Sequence, residues 1–257
     1  MIEIRTICKN ETTLFLDLLC QVFHLNPKKA KPAFFSEPFF DLHRKWALFE
    51  NGKMVSILTT TPLVFGIGKG IGIAGVATHP TARGKGLAKR LLQEVLDYSH
   101  HSNEPFALLF AKNPNLYHHA GFQVLDEVIR APLETRAPPI LPKYVSIENV
   151  KKCYQKWAAE HPLRLQRNEK RWKFWNYIHK PCESYQEGYL CLEGKIIREV
   201  VVHSSEESWP APKETEWIGL RSLTKQLKVP IQNEKLDMLL MGKGLQEPPQ
   251  MFMTDQF

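Results

Sequence analysis

Arg83-Gly84-Lys85-Gly86 followed at once by Leu87-Ala88-Lys89-Arg90 puts four cations and two glycines into eight residues. From Leu87 on, Leu87, Leu91, Leu92, Val95 and Leu96 recur at helical spacing, which predicts an amphipathic helix over roughly residues 84–100. Residues 71–78 form an apolar run, bounded by glycines before and His79-Pro80 after, and read as a buried strand. A strand, a glycine turn and a helix make an anion site. The first helical turn carries backbone N–H groups without intrahelical partners, and the macrodipole adds partial positive charge there. Glycines let a phosphate approach the backbone, and the cations surround it. A pyrophosphate is the natural guest.

The nucleotide motifs fail at this turn. A P-loop needs Gly-Lys followed by Ser or Thr, whereas Gly70 follows Lys69 and Gly86 follows Lys85. The run Gly66-Ile67-Gly68-Lys69-Gly70-Ile71 begins like a dinucleotide fingerprint, but Ile71 stands where its last glycine belongs. It also precedes a strand rather than a helix, so it reads as a hairpin turn.

Arg83-x-x-Gly86-x-Ala88 resembles the Gln/Arg-x-x-Gly-x-Gly/Ala signature of the GCN5-related N-acetyltransferase (GNAT) superfamily. The context agrees: an apolar strand ends at Thr78-His79-Pro80, a helix follows, then a strand over Phe106–Ala111, then Asn113-x-x-x-Tyr117-x-x-x-Gly121-Phe122. The resemblance covers residues 1 to about 135. It implies an α/β fold with a mixed sheet, acetyl-CoA as cosubstrate and transfer of the acetyl group to a primary amine.

The resemblance also implies roles. The backbone of Val76, Ala77 and Thr78 would pair with the pantetheine arm, and an N–H near Val76 would serve the thioester carbonyl. The pyrophosphate would rest on the amides of Gly84, Lys85, Gly86, Leu87, Ala88 and Lys89, with Arg83 beside it. Lys112 and Asn113 would touch the cofactor arm. Tyr117 is the candidate general acid, since a phenol of ordinary pKa about 10 stays protonated near neutral pH. The plain alternative is a Tyr that packs its ring and wets its hydroxyl. In the tandem members related to the mycobacterial enhanced intracellular survival (Eis) protein, which the tail Met251-Phe252-x-Thr254-Asp255-x-Phe257 resembles, the chain's own terminal carboxylate enters the site, and by that resemblance the base would be at Phe257. An α-carboxylate has an ordinary pKa of about 3.5, so burial would have to raise it. A frayed terminus, with a water route through Asp126, Glu127 or another carboxylate, stays open.

Elements to carry these residues are legible. Residues 2–7 alternate as a strand and residues 11–23 space as a helix. Residues 26–40 hold three prolines and four phenylalanines and read as a loop, either lining the acceptor cleft or packing its rings. Lys45–Glu50 and residues 54–65 read as strands joined at Asn51-Gly52. Residues 115–120 suggest a short helix capped by Gly121, and residues 122–125 and 128–133 two closing strands. Pro138, Pro139 and Pro142 mark a stiff linker over 137–143, dividing a catalytic domain at 1–136 from a smaller GNAT-like domain at 144–257. In the second unit, 150–160 and 166–179 read as helices, 184–192 and 196–204 as a hairpin around Glu193-Gly194, 214–225 as a helix and 235–241 as a strand. Arg167-x-x-x-Arg171-Trp172 and Pro248-x-x-Met251-Phe252-x-Thr254-Asp255-x-Phe257 resemble features of the tandem acetyltransferases related to the mycobacterial enhanced intracellular survival (Eis) protein. Those relatives carry a further sterol-carrier-like domain, for which this sequence is too short.

Composition bounds the rest. The 257 residues are 43% hydrophobic and 24% charged, enough for a real core, and the formal charge of +7 suits a cationic cofactor site. No long Lys/Arg run suggests nucleic acid. Cys8, Cys20, Cys153, Cys182 and Cys191 form no Cys-x-x-Cys motif, no secretory leader is evident, and reduced thiols in the cytoplasm are expected. The apolar stretch 14–23 carries Asp17 and is too short for a bilayer. His100-His101 and His118-His119 are adjacent pairs, not metal-ligand spacing, so no metal is expected. The reading is an acetyl-CoA-dependent N-acetyltransferase acting on a small-molecule or lysine-type amine, without an acyl-enzyme; a homo-oligomer stays open. The alternative is an acyl-CoA sensor that binds and transfers nothing.

Overall fold

Alternation at the N-terminus forms β1 (Ile2–Thr6), and α1 (Thr12–Phe23) follows with Phe15, Leu16 and Leu18 buried. The computed structural model describes residues 1–134, 145–178, 182–185, 188–201 and 214–257; the expected linker at 137–143 lies outside them. Residues 26–40 are not a loop. Asn26 accepts from the amides of Lys28 and Lys29, Pro27 takes the first helical position, and α2 (Pro27–Ser36) results. Then come β2 (Lys45–Glu50), β3 (Lys53–Phe65) and β4 (Gly68–Thr78), with Asn51 and Gly52 at positive φ in the first hairpin turn. The amphipathic α3 (Leu87–His101) leads to β5 (Phe106–Ala111), the short α4 (Asn115–His118) and β6 (Gln123–Pro132).

The second half holds α5 (Ile147–Ala159), α6 (Glu169–Ile178), β7 (Cys182–Tyr185), β8 (Gly188–Glu193), β9 (Ile196–Val201), β10 (Glu216–Leu220), α7 (Arg221–Gln226) and β11 (Lys235–Lys243). The helix expected over 214–225 is a strand followed by a short helix. Trp217, Ile218 and Leu220 are all buried, and a strand inside a sheet buries such a continuous run.

Among the described residues the eleven strands form one mixed sheet, ordered β1-β2-β3-β4-β5-β11-β6-β10-β9-β8-β7. Pairings β4–β5 and β9–β10 are parallel and the others antiparallel. The two closing strands expected over 122–133 are one strand, β6. The place beside β5 goes to β11, which pairs Leu239–Lys243 with Ala111–Ala107 on one side and β6 on the other. A strand from the second half thus completes the sheet of the first.

Helix α3 buries Leu87, Leu91, Leu92 and Val95 among Leu48, Leu58, Ile73 and Leu109. A separate cluster joins Phe15 and Phe34 to Ala47, Ile57 and Ala77. The largest cluster runs from Leu63, Phe65 and Phe106 to Tyr154, Trp157, Trp172 and Trp217, so the two halves share one core. Among the described residues, no helix is long and apolar enough to cross a membrane.

Candidate active site

Strands β4 and β5 stay paired only from Gly70↔Phe106 to Ile73↔Leu109, then part. The cause lies in β4. Against β3, Ile57 pairs with Ala77 and Thr59 with Ala74, so Gly75 and Val76 together oppose Leu58. This is a β-bulge, and Gly75 adopts φ +60, a conformation that favours glycine. A bulge bends its strand, and here it turns β4 away from β5. A cavity of about 470 Å³ opens in the gap, lined by Phe23, Val76, Lys112, Asn113, Leu116 and Tyr117 among others. The sequence signal for the bulge was Gly75 inside a strand pattern, which the sequence analysis did not use.

Of the expected backbone contacts, Val76 lines this cavity and Ala77 and Thr78 do not. The Ala77 carbonyl accepts from the Ser56 hydroxyl at 3.1 Å, turning it toward β3. The Thr78 carbonyl accepts from Arg83 Nε at 3.3 Å, and its hydroxyl lies 2.9 Å from Ser56 Oγ. These bonds tie the end of β4 to the cationic turn.

In that turn Gly84 and Gly86 sit at φ +78 and +72, and a Cβ on either would meet nothing within 4 Å. Gly86 precedes α3 without any side-chain cap. The amides of Leu87, Ala88 and Lys89 therefore start the helix without intrahelical partners. Arg83, Lys85, Lys89 and Arg90 are exposed around them, with Lys85 Nζ 3.1 Å from Glu50. Leu87 is 5% exposed, so it offers only its amide. An open, cationic, uncapped helix start fits a pyrophosphate.

Tyr117 sits on α4, half-buried, its ring edge-on to Phe122 at 6.2 Å. Burial pushes its pKa above 10. Asn113 Oδ1 accepts from the Asn115 amide at 3.0 Å and fixes the start of that turn. His118 Nδ1 lies 3.1 Å from the Phe122 carbonyl oxygen, and His119 is exposed. Among the described residues, no group of three or more His, Cys, Asp or Glu could hold a metal.

A second cavity, of about 190 Å³, meets the first at Ala74 and Gly75, which line both. Phe34, Phe39, Phe174 and Phe257 give it an aromatic wall. Of the phenylalanines of residues 26–40, Phe34 packs on Phe15 at 6.0 Å and also lines this cavity.

Phe257 reaches the point where β4 and β5 part. Its ring lies so close over Gly72 that a Cβ there would come within 2.5 Å, and it sits 5.4 Å from the Phe110 ring. Gly72 is thus required by close approach, not by φ. The fallback carboxylates lie elsewhere. Asp126 accepts from the amide and hydroxyl of Ser222, Glu127 pairs with Arg221 at 2.8 Å, and neither lines either of these two cavities.

A buried ionic cluster holds the tail. Arg167 donates through Nε and Nη2 to Asp255 at 2.9 and 2.6 Å, and through Nη1 and Nη2 to Glu199 at 3.0 and 2.7 Å. Trp175 Nε1 donates to Glu199 at 2.9 Å, and the hydroxyls of Tyr189 and Thr254 bond to it as well. The Arg167 guanidinium stacks 3.7 Å from the Tyr154 ring centroid. Burial opposes the charge on both main partners, yet Arg167 and the donors around Glu199 hold that carboxyl below its ordinary value. Arg171 Nη1 lies 3.8 Å from Asp255 Oδ1, and burial lowers its pKa. The two motifs singled out in the second half, around Arg167 and around Asp255, thus meet in space. Glu199 completes them, a residue no local pattern marked.

Residues 3–125 match the family model described as "Acetyltransferase (GNAT) domain". No curated protein matches. Among solved structures the chain resembles a GCN5-related N-acetyltransferase from Kribbella flavida at TM-score 0.74 and 15% identity, over 94% of this chain and 70% of that one. It resembles Eis1 from Mycobacterium abscessus at TM-score 0.63 and 15% identity, over 93% of this chain and 73% of that one. A putative acetyltransferase from Pyrococcus horikoshii aligns at TM-score 0.65 and 13% identity, over 98% of this chain and 93% of that one. At such identities these likenesses speak for the fold.

Proposed function

We propose, on the premise that residues 3–125 form an acetyltransferase domain of the GNAT family, that this protein moves an acetyl group from acetyl-CoA directly to a primary amine. The observation that carries the proposal is the bulge at Gly75, where a cleft suited to the pantetheine arm meets an aromatic cavity suited to an acceptor. Acetyl-CoA supplies the activated thioester. The chain's part is to hold the thioester beside the amine, which is mostly proximity. The uncapped amides at Leu87–Lys89 with Arg83 take the pyrophosphate, and Lys112 and Asn113 flank the arm. The Val76 N–H would stabilise charge developing on the thioester oxygen. Tyr117, kept protonated by burial, donates to the departing thiolate. Where the chain closes at Phe257, its carboxylate is the candidate base, on the acceptor side. No cysteine lines either cavity, which favours direct transfer over an acyl-enzyme.

The test is to mix the protein with acetyl-CoA and a panel of amines and to follow free thiol. Release that depends on the amine supports the proposal. Calorimetric binding of acetyl-CoA with no release for any amine would replace it by the sensor. Absence of binding would overturn the cofactor assignment.

A further inference from the structure

The acceptor-side cavity limits what kind of amine can enter. Its wall is mostly aromatic and aliphatic, and its volume of about 190 Å³ suits a small body. Three charged side chains line it: Glu37, Lys45 and Arg171. Glu37 is spent on Lys45, whose Nζ lies 3.1 Å away and 4.8 Å from the Phe34 ring centroid. Lys45 is 2% exposed and Glu37 28%, so the buried ammonium is held by a half-exposed carboxylate. No further carboxylate side chain lines the cavity to meet a second ammonium group.

Arg171 is different. Its side chain is 3% exposed. Nη2 donates to the Pro62 carbonyl at 3.0 Å, but Nη1 makes no hydrogen bond. The nearest carboxylate, Asp255, stands 3.8 Å off, and both its oxygens already accept from Arg167. A buried guanidinium N–H without an acceptor is costly, and a ligand that supplies one recovers that cost.

We infer that the acceptor is a small amine with an apolar body and a carboxylate, its amine at Ala74–Gly75 and its carboxylate toward Arg171. Polycationic acceptors such as polyamines and aminoglycosides do not suit this lining. The inference rests on the acetyltransferase reading above and names the substrate class of that site.

The experiment compares matched pairs on the wild-type protein: L-phenylalanine against 2-phenylethylamine, and L-leucine against 3-methylbutylamine, with spermidine and tobramycin as polycations. Thiol release from acetyl-CoA gives kcat/KM for each. A charge-assisted hydrogen bond predicts a preference of about tenfold or more for the carboxylated member. Arg171→Met should abolish that preference, read as the ratio of kcat/KM within each matched pair whatever happens to the absolute rates. Should Arg171→Met unfold, the pairs on wild type decide alone. Equal or better turnover of the carboxylate-free amines or of the polycations overturns the inference and leaves the acetyltransferase standing. No turnover of any amine, with acetyl-CoA bound, overturns both.

Discussion

Replacing Asp255 by Asn tests whether the buried cluster holds the tail. The substitution keeps the shape and removes one charge. Arg167 and Arg171 are balanced by Glu199 and Asp255, and all four side chains are at most 3% exposed. After the change, two guanidinium groups face one carboxylate, and an amide NH₂ or a neutral carbonyl meets Arg167 where a carboxylate accepted two bonds at 2.9 and 2.6 Å. Breaking a buried pair by removing one partner costs about 3–5 kcal/mol, a factor of roughly 10² to 10⁴ in the unfolding equilibrium. Denaturant titration followed by tryptophan fluorescence would read it, since Trp172 and Trp175 pack against Arg167. Two residues on, Phe257 would lose its anchor over Gly72, so kcat should fall along with stability. Adding Arg171→Met to Asp255→Asn restores a balanced Arg167–Glu199 pair, and the double variant should be more stable than the sum of the single losses predicts. A loss under about 1 kcal/mol for Asp255→Asn, the range of an exposed pair, would refute the argument that this cluster is dry and holds the tail.

Three further outcomes are expected. Tyr117→Phe should lower kcat by about 10²-fold or more with little change in stability, read by thiol release and thermal melting, and the wild-type rate should show no fall assignable to Tyr117 below about pH 10. Gly75→Ala puts a Cβ at φ +60 and 3.1 Å from Leu19; strain of about 1–2 kcal/mol should lower the melting temperature, and any relief of the bulge should cost turnover more than it costs acetyl-CoA binding. Glu11 is held at about 2 by its hydrogen bonds from Arg5, and Glu199 below its ordinary value against the opposing effect of burial. Both carboxyls bind protons less readily folded than unfolded, so their contribution is complete above about pH 4.5 and is lost at lower pH, for Glu11 as pH falls toward 2. Acid titration of stability should show that loss, diminished in Glu11→Gln.

What sequence reading reached was what neighbours along the chain decide. The Asn51-Gly52 turn, the cationic turn from Arg83 and the spacing of Leu87, Leu91 and Leu92 are each set within a few residues, and each stands where local chemistry put it. The place of β11 depends on which edge is left open more than a hundred residues earlier, and no local pattern carries that information. Residues 214–225 misled because Trp217, Ile218 and Leu220 fit either period in so short a run. Tyr117 and Val76, each marked by its own stretch of sequence, line one cavity. Arg171 and Lys45 were not singled out as acceptor-side groups, because what marks them is burial, and a lone cation in sequence reads as surface. Glu199 meets Arg167 from 32 residues away and Asp255 meets it from 88, so only the folded chain brings the three together.

The position of β11 also sets a schedule for the ribosome. When residue 132 has emerged, β5 and β6 each present a row of unpaired N–H and C=O groups, and the strand that covers both lies about a hundred residues further along the chain. Synthesis at about 5–20 residues per second leaves those two edges bare for several seconds or more. The first half is therefore finished last, although it is made first. Any shortened product ending before Lys235 would carry every residue that lines the cavity between β4 and β5 and still lack the strand beside β5.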